Sequence, residues 1–251
     1  MPADPIQKVL AGDRVALSRL LTAVVDAPSP RLLARLTELR KGAPIFGVTG
    51  PPGAGKSTLV DRLVTHYRSQ GARPGLVLID PSSPFTGGAI LGDRVRMQAH
   101  SDDPDVFMRS LATRGQLGGL AAGAGAALAV LDVAGFTPLI LETVGVGQSE
   151  LDVVNVADSV VVVLHPSWGD EVQANKAGLI EAGDIFVVNK SDLSDPHSTI
   201  RQIKQALDMG TRTTWMPPVV ATSAGSGEGI GALVEAIDRH QTHLANRRST
   251  P

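Results

Sequence analysis

From Ala43 onward, short continuous apolar runs alternate with longer amphipathic stretches. PIFGVTG (44–50) is followed by STLVDRLVTHYRSQG (57–71) and RPGLVLIDP (73–81), and the alternation continues through TPLILETVG (137–145), DSVVVVLHP (158–166), DIFVVNKSD (184–192) and MPPVVATSA (216–224). Unbroken apolarity over strand length marks strands buried on both faces. Strands alternating with helices predict an α/β fold with a doubly wound, mostly parallel sheet. Ahead of this region, Ile6, Val9, Leu10, Leu17, Leu20, Leu21 and Val24 recur at helical spacing. The pattern breaks at Gly12-Asp13, where Asp13 is placed to cap a second helix. PSPRLLARLTELRKG predicts a third helix, ending at Gly42. The expected organisation is a short helical extension (1–42), an α/β domain (43–244) and a frayed tail (245–251). The Ala/Gly-rich segment 117–135 reads as a helix that packs close to its neighbours.

Composition narrows the function classes. Of the 251 residues, 43% are hydrophobic and 19% charged, as in ordinary globular proteins. Twenty-three Lys and Arg against 25 Asp and Glu leave a net charge of -2, with no basic footprint for a nucleic acid or membrane surface. Aromatic residues make up only 3%, too few for a base-stacking platform. The absence of cysteine excludes disulfides, thiolate zinc sites and thiol nucleophiles. No segment reads as an export signal or spanning helix, and a cytoplasmic location is expected.

The chemistry concentrates at strand ends, where open parallel sheets bind ligands. Gly50-Pro-Pro-Gly53-Ala54-Gly55-Lys56-Ser57-Thr58 fits G-x-x-x-x-G-K-[ST] between a strand and a helix. Its glycines let backbone N–H groups converge on a phosphate, and the helix N-terminus adds positive potential. Lys56 would reach the β- and γ-phosphates, and the Ser57 hydroxyl would ligate Mg²⁺. Asn189-Lys190-Ser191-Asp192 ends another strand, where a carboxylate can accept from guanine N1 and the exocyclic amine, donors that adenine lacks as a pair. Ser223-Ala224, at the end of a later strand, offers a backbone N–H to guanine O6. Asp192 capping a helix is the plainer alternative, but with the phosphate loop in chain order the pair points to GTP.

Asp80, Asp93 and Glu142 lie at or beyond other strand ends. As hard oxygen donors they suit Mg²⁺, with capping or solvated roles the alternative for each singly. Glu142-Thr-Val-Gly145 stands where many GTPases carry D-x-x-G, so Gly145 would offer its N–H to the γ-phosphate. Val146 follows, where small GTPases carry a water-positioning glutamine, which predicts slow hydrolysis without a partner. Arg96 and Lys176 are cations in Gly- or polar-rich regions, able to approach transferring phosphate or simply to face solvent. Loops 81–98, 142–150 and 166–178 are expected to order around the γ-phosphate and relax on its loss.

GPPGAGKST, IDPSSPFTGGAILGDRVRM, RSLATRGQLGGL, ETVGVGQSE, GDEVQANKAG and NKSD together resemble the MeaB/ArgK/MMAA family of P-loop GTPases, from about Leu10 to about Arg239. The resemblance implies a P-loop NTPase fold of the SIMIBI type and binding of GTP/GDP with Mg²⁺. It also implies a chaperone role toward an adenosylcobalamin-dependent acyl-CoA mutase of the methylmalonyl-, isobutyryl- or 2-hydroxyisobutyryl-CoA type. Lys56 and Ser57 would serve phosphate and metal, and Asp80, Asp93 and Glu142 the metal and its water shell. Asn189, Lys190 and Asp192 would read guanine. Asp170 and Lys176, in the mobile third switch, would join Arg96 in mutase-stimulated hydrolysis.

Two departures stand out. His165 and Trp168 occupy HPSWGD where such proteins have small residues, either adjusting contacts to a mutase or, for the tryptophan, filling core. The homodimer of such proteins uses a C-terminal helical arm, which these 251 residues are expected to lack. A metal-inserting GTPase of the hydrogenase or urease kind would want cysteines or a His-rich tract, and of the six histidines only His240 and His243 share a helical face, read here as solvated. A P-loop kinase of a small substrate or transport protein is the other alternative, disfavoured by Asp192.

Overall fold

The computed structural model describes residues 4–80, 98–100, 102–112, 119–143, 153–166, 173–210 and 214–249. Helices α1 (Pro5–Leu10), α2 (Arg14–Asp26) and α3 (Pro30–Leu39) precede strand β1 (Ile45–Thr49). Then follow α4 (Lys56–Ser69), β2 (Gly75–Asp80), β3 (Phe107–Ala112), α5 (Gly119–Val133) and β4 (Leu139–Thr143). The remainder is β5 (Ser159–Leu164), α6 (Gln173–Ala182), β6 (Ile185–Val188), α7 (His197–Asp208), β7 (Val219–Ala221) and α8 (Ile230–Ser249). Seven strands form one sheet in the order β3-β2-β4-β1-β5-β6-β7. The pairs β2–β3, β1–β5, β5–β6 and β6–β7 are parallel. Strand order reverses at β1, which makes the loop leaving its carboxyl end the expected ligand crevice. Every residue of β1, β4, β5 and β6 is buried, which is why their apolarity is continuous rather than alternating.

The chain divides into two compact units, residues 1–45 with 67–141 and residues 46–66 with 142–251. In the first, Asp4 caps α1 by accepting from the Ile6 N–H, and Asp13 caps α2 through Val15 and Ala16 as its position predicted. Six of the seven helical-spaced residues are buried, and Leu10, at the end of α1, is exposed. The Ala/Gly-rich α5 packs against α2, and a methyl on Gly123 would meet Val25 at an ordinary contact distance of 3.9 Å. The fully buried Asp132 carboxylate accepts from Arg40 Nε at 3.1 Å and from the N–H groups of Lys41, Gly42 and Ala43 at 3.1 to 3.2 Å. Four donors offset its desolvation and fasten the helical lead-in to the rest of this unit.

In the second unit α8 stays helical through Ser249, so the segment expected to fray from residue 245 is largely regular, with Arg248 paired to Asp158 at 3.0 Å. The solvated reading of His240 is also corrected. Its ring is buried, with Nδ1 2.7 Å from Ser159 Oγ and Nε2 3.7 Å from Asp184 Oδ1. Trp215 packs on it at 4.7 Å and donates its indole N–H to the Asp184 carbonyl. Gln241 Nε2 donates to Ser159 Oγ at 2.7 Å, so one hydroxyl of β5 meets both His240 and Gln241 of α8. Helical spacing showed that the two histidines share a face. Which face meets the sheet was a tertiary matter.

Burial pushes the His240 pKa down, helped by His243 and opposed by Asp184 and Asp158. A folded pKa below the unfolded one means that the unfolded chain binds more protons, so this stabilisation is complete above the ordinary histidine value of 6.5 and is lost as pH falls below it. Between about pH 6.5 and 5 the urea midpoint should fall more steeply for the wild type than for His240→Gln. Parallel slopes would remove His240 as the cause.

Candidate active site

The turn between β1 and α4 is shaped by three glycines with positive φ: Gly50 at 135°, Gly53 at 76° and Gly55 at 90°. Two of them also lack room for a side chain. A Cβ on Gly50 would lie 2.1 Å from the Val163 carbonyl oxygen, and one on Gly55 2.4 Å from Asn189 Nδ2. The loop thus lies close against the ends of β5 and β6, and α4 starts directly at Lys56. Its first-turn N–H groups have no intrahelical acceptors and carry the positive end of the helix dipole. The Lys56 ammonium is buried and donates to the carbonyls of Gly50 at 2.6 Å and Pro51 at 3.1 Å, folding back over the loop. Ser57, also buried, donates its hydroxyl to Glu142 Oε1 at 2.6 Å. Glu142 is 1% exposed near the end of β4, beside Thr143, whose hydroxyl donates to Thr49 Oγ1 at 3.1 Å. Thr58 faces solvent.

At the end of β6 the buried Asn189 carboxamide joins three segments. Nδ2 donates to the Ala54 carbonyl at 2.9 Å, and Oδ1 accepts from Thr222 Oγ1 and the Ala224 N–H, both at 3.0 Å. The Ser223 N–H donates to the Glu228 carbonyl. The N–H groups of Ser223 and Ala224 thus both bond inside the protein in this structure and shape the loop after β7. Asn189 thus ties the phosphate loop to the loop after β7. Lys190 has φ +63°, the one positive-φ residue other than glycine among those described, and turns the chain so that Asp192 is exposed just beyond the strand.

A family model described as "Methylmalonyl Co-A mutase-associated GTPase MeaB" matches residues 17–250. The chain belongs to the MeaB family of P-loop GTPases. A Pyrococcus abyssi protein named as a GTPase is 48% identical over 245 residues, 95% of this chain and 76% of that protein. The mouse protein named methylmalonic aciduria type A homolog, mitochondrial, is 39% identical over 257 residues, 94% of this chain and 62% of its own length. A crystal structure titled as a LAO/AO transport system kinase shares 27% identity with a TM-score of 0.77, covering 98% of this chain and 76% of that one. As a MeaB-family GTPase the chain binds guanine nucleotide and hydrolyses GTP, and its family is associated with methylmalonyl-CoA mutase. None of the described helices is long and apolar enough to cross a membrane.

Several expected site residues of this MeaB-family chain lie outside the described residues: Asp93, Arg96, Gly145, Asp170 and, near the third switch, Trp168. Asp80 ends β2 and Lys176 lies in α6, but their side chains are likewise outside the description. What the structure does bring together in one unit is the glycine loop, Lys56, Ser57, Glu142, Asn189, Lys190, Asp192, Ser223 and Ala224. Beside the loop, Pro52, Gly53, His165, Pro166 and Lys190 line a concavity of ≈ 290 Å³, with Thr199 holding the Pro166 carbonyl. His165 thus faces the phosphate-loop end of the molecule. Sequence reasoning missed Thr222, whose hydroxyl reaches Asn189, and Arg62, on α4. Nothing in VVATSAG or LVDRLV singles either out.

Removing the carboxamide should loosen the loop more than the fold. Asn189→Ala strands the Ala54 carbonyl and Ala224 N–H, each costing about 1–3 kcal/mol if buried. GTP turnover should fall by at least roughly tenfold while the protein still unfolds cooperatively. Unchanged turnover would show that the tie is dispensable.

Proposed function

We propose that the chain is a Mg²⁺-dependent GTP switch that gates adenosylcobalamin loading and repair of an acyl-CoA mutase. The Ser57–Glu142 pair at the start of α4 carries the metal part of this reading. Two buried hard oxygen donors, 2.6 Å apart where the phosphate loop enters its helix, fit a cation that needs only one or two carboxylates. Ser57 and Glu142 would hold Mg²⁺, directly or through water, with Asp80 and Asp93 completing its surroundings. When bound, the ion neutralises charge on the β- and γ-phosphate oxygens.

Water attacks the γ-phosphorus in line, forming one P–O bond as the bond to the β–γ bridging oxygen breaks and GDP leaves with the electron pair. The N–H groups of the loop from Gly50 through Thr58 cradle the phosphates, and Lys56 swings its ammonium from the Gly50 and Pro51 carbonyls to the β- and γ-oxygens. Gly145 donates to the γ-phosphate. Arg96, Asp170 and Lys176 respond to the partner, the two cations approaching the transferring phosphate in a chain that carries Val146 where small GTPases have a water-positioning glutamine. Asp192 accepts from guanine N1 and the exocyclic amine, and Lys190 flanks the base. Loss of phosphate then relaxes the segments that the mutase reads. The mutase assignment is supported by the family's printed association and by the mouse relative's name.

Lys56→Ala should abolish turnover and sharply weaken nucleotide binding in a calorimetric titration; near-normal hydrolysis would contradict the phosphate assignment. Asp192→Asn should move preference from guanine toward xanthine nucleotides, and unaltered GTP affinity would count against the base assignment. Adding each acyl-CoA mutase encoded by the same genome should stimulate GTP hydrolysis for one of them. Absence of stimulation by any would overturn the chaperone role while leaving the GTPase intact.

A further inference from the structure

The loops leaving β1, β5 and β6 stand side by side at the carboxyl edge, because those three strands are neighbours in the sheet. The first is the phosphate loop, and the third carries Lys190 and Asp192. Two strand spacings, about 10 Å, separate them. A nucleotide with its phosphates on one and its base on the other crosses that gap with its sugar, over the end of β5. The residue that β5 presents there is His165. Its backbone is held on both sides: the Leu164 carbonyl accepts from the Asn189 N–H at 2.8 Å, and the Pro166 carbonyl accepts from the buried Thr199 hydroxyl. A residue before proline is also biased to extended backbone. The half-buried His165 lines the ≈ 290 Å³ concavity with Pro52 and Gly53 on the phosphate side and Lys190 and Ser194 on the base side. Pockets for whole ligands run from about 300 to 1,000 Å³, so this one suits a single moiety of a nucleotide. Above Gly53 the space is open, since a Cβ there would meet nothing within 4 Å. The Lys190 stem lies against the phosphate loop, its Cε 3.8 Å from where a Cβ on Gly55 would stand.

We propose that His165 reads the sugar: its imidazole hydrogen-bonds a ribose hydroxyl, so that the site prefers a ribonucleotide to its deoxy counterparts. This rests on the guanine-nucleotide site of the proposed function and adds a specificity residue between its phosphate and base ends. His165 belongs to neither the phosphate-loop motif nor the Asn189–Asp192 motif. A neutral imidazole has one nitrogen that donates and one that accepts, and a sugar hydroxyl does both, so either tautomer completes the bond. The backbone ties at Leu164 and Pro166 are made without ligand, which leaves little ordering to be lost on binding. Through Asn189 they continue to the Ala54 carbonyl. The phosphate loop, the end of β5 and the end of β6 are therefore braced to one another.

The test compares equilibrium binding of GDP, 2′-deoxy-GDP and 3′-deoxy-GDP to the wild type, His165→Phe and His165→Gln. The ligands share base and phosphates, and each deoxy form lacks one hydroxyl. The wild type should bind at least one deoxy form about three- to tenfold more weakly than GDP, the worth of one neutral hydrogen bond. His165→Phe, which keeps a planar ring without nitrogens, should lose GDP affinity by that same factor and bind that deoxy form as the wild type does. The preference then disappears. His165→Gln, whose amide still donates and accepts, should retain part of it. Equal binding of all three ligands by the wild type would overturn the proposal, and that arm needs no variant to fold. So would a preference of unaltered size in His165→Phe, the result expected if the ring serves only a protein partner or the fold. In both cases uptake of GDP leaves the guanine site standing. No uptake of GDP by the folded wild type would instead remove the site itself, and the proposal with it.

Discussion

Buried at the end of β6, one carboxamide ties together three segments above the sheet's carboxyl edge in this unit. Asn189 donates to the Ala54 carbonyl and accepts from Thr222 and Ala224, so the phosphate loop and the base loop are positioned by a single planar group. Such a group has little freedom to compromise. An amide that is 1% exposed must satisfy its donors and acceptors inside the protein or bear the cost of stranding them. The close approach this demands explains why Gly55 can carry no side chain, since a methyl there would collide with Asn189 Nδ2 at 2.4 Å.

The phosphate end obeys the same logic with charge added. Lys56 and Glu142 are both buried: the ammonium donates to two loop carbonyls, and the carboxylate accepts from the Ser57 hydroxyl. Buried ionic groups are costly unless well partnered, and they recur at functional sites. The loop's chemistry is therefore local in sequence, while the partners that tune it come from β4, β5 and β6.

Elsewhere in the molecule, buried polar groups do structural work of a similar form. Asp132 collects three backbone N–H groups and Arg40, and His240 shares Ser159 and Asp184 at the other end of β5. In each case one ionisable side chain converts a chain crossing into a defined contact. His240 shows the limit of a surface reading: a polar residue near a chain end was expected in water and instead packs under Trp215.

Periodicity and motif spacing by themselves determined six of the seven strands, the three leading helices, the capping by Asp13, the Ala/Gly helix and the phosphate loop, because each depends on residues a few positions apart; β3, only partly buried, went unmarked. The family followed from motifs in order, which is also information along the chain. What only the tertiary structure decided is which groups meet across long separations: that Asn189 reaches the Ala54 carbonyl, that Ala224 gives its N–H to that amide, and that Arg62 reaches the loop after β7. Hydrogen-bond partners of this kind depend on distances of about 3 Å between residues 35 to 162 positions apart, and no local pattern encodes them.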